Sequence, residues 1–141
     1  MAFVFGKASE ANLAGVHPDL KRVVRRALTL AKDDFKVVEG LRTEARQREL
    51  FNAKKSKTMK SRHLTGHAVD LLPLRPGVNG YEQTLRSEGS VWVELSKAMF
   101  KAAELEGVKL RWGGDFNGDG YLVGSDNWDA PHYELHPRYY P

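Results

Sequence analysis

The chain has 141 residues, 41% of them hydrophobic and 28% charged, a size and balance that suit one globular core over residues 1–141 and exclude a disordered tail. Its 22 Lys+Arg against 18 Asp+Glu leave a formal net charge of +4, a surplus too mild to choose between nucleic acid, an anionic polymer and simple solubility. There are no cysteines, so disulfides, thiolate metal ligands and thiol nucleophiles are excluded, and His, Asp and Glu remain for metal binding and proton transfer.

The opening MAFVFGKASE lacks the apolar core of a secretory leader, and no stretch nears the roughly 18 to 20 apolar residues of a membrane span. This predicts a protein made in the cytoplasm without stable membrane insertion. Pro18 suits the first turn of a helix whose Leu20, Val23, Val24, Ala27 and Leu28 recur at helical spacing. Lys21, Arg22, Arg25 and Arg26 take its wet face. No aromatic residues interleave with them, so they read as a solvated surface and not as a nucleic-acid stripe.

Phe35 to Glu39 reads as a short strand stopped by Gly40, and Thr43 then caps a second helix over 45–53. Residues 54–62 are basic and irregular. A strand over His67 to Leu72 is expected to end at Pro73, followed by a Pro/Gly-rich loop over 74–89. Ser90 can cap a third helix with Val91, Trp92, Leu95, Met99 and Ala102 on its apolar face, closed by Gly107. Val108 to Trp112 and His132 to Leu135 complete the strands. The fold class is α+β, a small antiparallel sheet covered by helices.

Four of the five histidines fall in two pairs, His63/His67 in SRHLTGHAVD and His132/His136 in DAPHYELHP. A helical His-x-x-x-His protease site would need Glu directly after the first His, where Leu64 and Tyr133 stand. Gly66 and Pro131 also argue against helices there. A better solution joins His63 to Asp70, with Gly66 reversing the chain between them, because seven extended residues would separate the two by roughly 23 Å. In the strand, Val69 and Leu71 point to one face and Asp70 to the other. His132 from a distant strand then completes a His/Asp/His triad on the sheet, with a fourth tetrahedral position left for water. At zinc bond lengths the donor atoms sit roughly 3.4 Å apart.

These residues resemble the D-Ala-D-Ala metallopeptidases, and within them the phage L-alanyl-D-glutamate endopeptidase (endolysin) branch. The family signature Ser-x-His-x-x-Gly-x-Ala-x-Asp is met by Ser61, His63, Gly66, Ala68 and Asp70, and its later Asp/Glu-x-x-His by Asp129 and His132. GLRT around Arg42, the RWGGDFN run and the FGKASE opening extend the resemblance over residues 3 to 135. The resemblance implies one zinc per chain on His63, Asp70 and His132, Asp129 as acid/base, Arg42 as the cation facing the scissile carbonyl, and Ser61 at the substrate. The chemistry supports these roles. A carboxylate near an acidified water can take its proton and pass it to the leaving amine, and a fixed guanidinium steadies charge growing on the carbonyl oxygen. Arg42 could instead pair with Glu39 or Glu44. Glu134 shares a strand face with His132, where it would orient that ligand or rival Asp129 as base.

The implied activity is hydrolysis of peptidoglycan stem peptides at the L-Ala–D-Glu bond, by a monomeric endolysin held in the host cytoplasm until the membrane is permeabilised. The basic residues Lys54, Lys55, Lys57, Lys60 and Arg62 could meet stem-peptide carboxylates or form a plain solvated loop. A D-Ala-D-Ala dipeptidase or carboxypeptidase is the alternative within the class. A catalytically silent wall-binding module or a basic nucleic-acid binder is the alternative outside it. Neither of the latter explains why Asp129 and all three ligands stand together. Finally, Asp115, Asn117, Asp119 and Gly120 reproduce the opening of a calcium loop, with the Tyr121 carbonyl and Asp126 at the later positions. The same run also reads as a polar turn without an ion.

Overall fold

The computed structural model describes residues 3–56, 58–74, 90–113 and 129–141. Helix α1 (Lys7–Leu13) leads into α2 (Pro18–Leu30), followed by strand β1 (Asp34–Glu39) and helix α3 (Glu44–Asn52). A single 3-10 turn (Arg62–Thr65) precedes β2 (Ala68–Leu74). Helix α4 (Ser90–Glu106) and the short strands β3 (Leu110–Trp112) and β4 (His132–Leu135) complete the described elements. The strands form one antiparallel sheet in the order β1-β2-β4-β3. The expected α+β class is therefore what the structure shows.

The amphipathic α2 forms as its spacing dictates. Pro18 supplies a preset φ where no intrahelical donor is needed, and His17 Nδ1 accepts the Asp19 N–H at 3.1 Å as the cap. Leu20, Val23, Val24, Ala27 and Leu28 are buried and belong to one core with Val91, Trp92, Leu95 and Met99 of α4, on which α2 packs. Its three arginines on that face are answered by carboxylates: Arg22 and Arg26 pair with Glu106, Arg22 with Asp19, and Arg25 with Glu10. The wet face is a surface of ion pairs.

Three elements depart from expectation. Helix α1 carries too few apolar residues for a visible period, and buries Ser9 and Leu13 against β1 while Ser9 Oγ accepts the Val37 N–H at 3.1 Å. Pro73 lies within β2 instead of ending it. It pairs in register with Phe35, whereas β4 meets β2 only over Ala68–Asp70, so no neighbour among the described residues on that side asks Pro73 for an N–H. Strand β2 also begins one residue later than predicted, after His67, and β3 is shorter by two residues, Val108 and Lys109, while β4 spans His132–Leu135 as expected.

Candidate metal centre and active site

The register of the sheet assembles the site. Asp70 on β2 is the direct cross-strand partner of His132 on β4, so their side chains rise on the same face. On the other side of Asp70, β1 shifts register between Val37 and Glu39, and this bulge brings Glu39 opposite Asp70 where regular pairing would have placed Val38. The next row across the sheet is Ala68, Glu134 and Arg111. The chemistry-bearing groups thus occupy two adjacent rows of one face, backed by Val69, Leu71 and Tyr133, none of which is exposed.

His63 reaches this face from the 3-10 turn. Ser61 caps the turn by accepting the His63 N–H at 3.2 Å, and Gly66 ends it at φ 73°, ψ 15°. A side chain at Gly66 would both strain that left-handed backbone and come within 2.7 Å of the Gly15 carbonyl oxygen. His63 is buried, and its Nδ1 lies 2.8 Å from the Gly40 carbonyl oxygen. Donation there leaves Nε2 as the lone-pair atom, 3.3 Å from Asp70 Oδ1. His132 Nδ1 approaches the same oxygen to 3.4 Å, while its Nε2 is 2.7 Å from Glu134 Oε1.

His63, Asp70 and His132 each offer one donor atom to a cluster whose members lie within 4.8 Å of one another. The two separations at Asp70 Oδ1 match the roughly 3.4 Å expected between donors of a tetrahedral zinc site. That oxygen is buried and takes part in no hydrogen bond of good geometry. A cation would satisfy it, and two neutral imidazoles with one carboxylate suit a divalent metal of zinc's character. Among the described residues this is the one such cluster. Burial opposes ionisation of Asp70, but the two facing imidazoles overcome it and hold the carboxyl well below the usual range. Burial also opposes charge on His132. The Asp70 and Glu134 carboxylates outweigh it and, without metal, push the imidazole up to about 9.

Asp129, three residues before His132, is exposed to solvent and close enough to feel the charges of the cluster. Crowding by protein, and then the Asp70 charge, push its carboxyl above the usual value, outweighing His132, His63 and Arg42. Its segment is pinned by Asp129 N–H to Gly113 carbonyl at 2.6 Å, His132 N–H to the Asp129 carbonyl at 3.1 Å, and Trp112 Nε1–H to the Ala130 carbonyl at 2.8 Å. Arg42 is 9% exposed and pairs with Glu39, not Glu44, through Nε at 2.7 Å and Nη2 at 2.6 Å. Its Nη1 donates to Gln47 Oε1 at 2.6 Å, and its Nη2 lies 3.8 Å from Asp70 Oδ2. Beside it Leu41, Thr43, Glu44, Met59 and Leu64 line an open pocket with Arg42 itself.

Several contributors were invisible in the sequence. Gln47, fully buried within a charged helix, donates from Nε2 to Ser56 Oγ and the Thr58 carbonyl, and so ties Arg42 to the basic loop. Arg111 Nη2 donates to Glu134 Oε2 at 3.1 Å. Arg62, expected in the substrate-facing loop, turns inward to the carbonyls of Leu135 and Tyr140, whereas Lys54, Lys55 and Lys60 stay exposed. His67 stands apart from the cluster, with its Nδ1 2.6 Å from Thr65 Oγ1. Asp115, Asn117, Asp119, Tyr121 and Asp126, like Lys57, lie outside the described residues.

The profile of the family described as phage L-alanyl-D-glutamate peptidase matches residues 1–136. The L-alanyl-D-glutamate peptidase of Escherichia phage T5 is 38% identical over 141 residues, covering 96% of this chain and 99% of that protein. The crystal structure of the Serratia marcescens L-Ala D-Glu endopeptidase ChiX superposes with a TM-score of 0.79 at 40% identity, covering 98% of this chain and 94% of that one. The vancomycin-resistance D,D-dipeptidase VanXYg shares the fold at a TM-score of 0.53 and 15% identity, over 85% of this chain and 50% of its own. On the profile match and the near-full-length identity, the chain belongs to the phage L-alanyl-D-glutamate peptidase family.

Proposed function

We propose that the chain is a zinc peptidase that hydrolyses the L-Ala–D-Glu bond of peptidoglycan stem peptides, made in a host cytoplasm and acting on the wall as an endolysin once the membrane is opened. The observation that carries the reading is the meeting of His63 Nε2, His132 Nδ1 and an unpartnered Asp70 oxygen at tetrahedral donor spacing. Zinc held there would acidify the attacking water and polarise the scissile carbonyl.

Asp129 takes the proton of that water and returns it to the D-Glu amine as the bond breaks. Its raised carboxyl suits both halves of the exchange, because a base closer to neutrality gives the proton back more readily. Arg42, oriented by Glu39 and Gln47, sets a fixed positive charge beside the cluster where carbonyl charge develops. Glu134 holds the ring of His132 and its tautomer. Ser61 shapes the turn that presents His63, and its hydroxyl lies 3.5 Å from Arg42 Nη1, so its contribution to substrate passes through these two residues. All of these groups belong to one chain, so the proposed unit of activity is the monomer. The same cluster would serve a D-Ala-D-Ala peptidase, and it is the family match and the near-full-length identity that favour the L-Ala–D-Glu bond.

Purified sacculi should be solubilised by the zinc-loaded protein, spared after chelation, and solubilised again when Zn²⁺ is restored. Full activity in the rigorously metal-free protein would overturn the reading.

A further inference from the structure

We propose that Arg62 is a positioning residue for the metal ligand His132, acting through Glu134 and itself held in place by the last turn of the chain. It occupies the variable position of Ser-x-His, so the signature assigns it no role. The inference rests on the metal reading above and concerns how the site is kept in shape.

The geometry forms a relay. Arg62 Nη2 donates to the Leu135 carbonyl at 2.9 Å and to the Tyr140 carbonyl at 2.6 Å. These two bonds fix the guanidinium, so that its Nε, which makes no hydrogen bond, faces Glu134 Oε2 across an ion pair of 3.6 Å. Glu134 is 3% exposed, and an ionised carboxylate at that depth needs nearby cations. Arg62 supplies one and Arg111 the other, at 3.1 Å. With Oε2 facing these two guanidinium groups, Oε1 is left for His132 Nε2 at 2.7 Å, and the ring is turned so that Nδ1 faces Asp70. Tyr140 is anchored in turn by its hydroxyl, which donates to Asp19 Oδ2 at 2.7 Å, and by edge-on contact with the His17 ring. The turn that holds Arg62 is thereby fastened to the start of α2, and residues 137–141 of that turn lie beyond the stretch matched by the family profile.

A partner that orients a ligand is typically worth about 10 to 100-fold in metal affinity, and a residue acting one step further out should fall near the lower figure. Zinc affinity is measured by chelator competition for the wild type, Arg62→Ala, Glu134→Gln and the double variant, with the absorption spectrum of the Co²⁺-substituted site as a second readout. Arg62→Ala should weaken zinc about tenfold and alter the Co²⁺ spectrum, Arg62→Lys should restore part of both, and the effect should vanish in the Glu134→Gln background, because the relay is already cut there. Equal weakening in both backgrounds, or none in either, would overturn the inference. If Arg62→Ala does not fold, Arg62→Gln, which keeps an amide for the two carbonyls, carries the same comparison. A wild-type chain that takes up no zinc would instead overturn the metal reading itself.

Discussion

Single side chains at the cluster divide by what their removal should cost. His63→Ala or His132→Ala takes away one of three donors, and metal analysis after dialysis should find zinc lost from either variant. Stoichiometric zinc in the double variant would refute the ligand set. Asp129→Ala should instead keep its zinc and its melting temperature while turnover falls roughly 10² to 10⁴-fold, the usual worth of a general acid/base. Near-normal turnover there, with collapse in Glu134→Ala, would move the proton-transfer role to Glu134. Arg42 is so closely bound to Glu39 and Gln47 that Arg42→Ala should both slow the chemical step by roughly 10² to 10³ and lower stability, since it strands the buried Gln47 and half-buried Glu39. A lowered melting temperature with an unchanged rate would leave it a scaffold residue. The members of the signature were legible because ligand chemistry demands fixed residue types at fixed spacing. Gln47, Arg111 and the Gly40 carbonyl were not, because a residue that serves another residue has no spacing of its own and emerges only when the sheet rows are laid side by side.

Among the elements, the approach of β3 to the segment before β4 is tight enough to test. A Cβ on Gly113 would lie 2.0 Å from the Asp129 carbonyl oxygen, a backbone atom that cannot swing aside. Gly113→Ala should therefore displace Asp129, costing about 1 to 3 kcal/mol in stability and a measurable share of turnover with zinc still bound. An alanine variant with wild-type melting and rate would show that the loop yields freely. The helices with a strong period, α2 and α4, and the strands with β-type runs could be read ahead of the structure. Pro73 misled because its meaning depends on which neighbour reaches it, and β4 stops at Asp70. The bulge after Val37 left no mark in the sequence, since only the pairing register reveals that Glu39, not Val38, faces Asp70.

At the scale of the whole molecule, protons and metal compete for the same groups. Without metal, His132 is pushed up to about 9 from an ordinary value near 6.5, so its charged contacts stabilise the fold fully below about pH 6.5 and are lost as pH rises through about 9. Asp70 is depressed, so its contribution is present above the ordinary carboxylate value near 4 and is lost as the medium becomes strongly acidic. The melting temperature of the metal-free chain should accordingly fall between pH 7 and 10. The zinc-loaded chain should not follow it, because binding metal requires an unprotonated His132 ring and releases that proton. Parallel decline of both forms would detach His132 from the metal. Which bond is cut is read by mass analysis of the products that the zinc-loaded chain releases from the stem peptides of purified sacculi. Fragments with a new N-terminal D-Glu are the predicted result, and release of D-Ala or D-Ala-D-Ala with the L-Ala–D-Glu bond intact would contradict it.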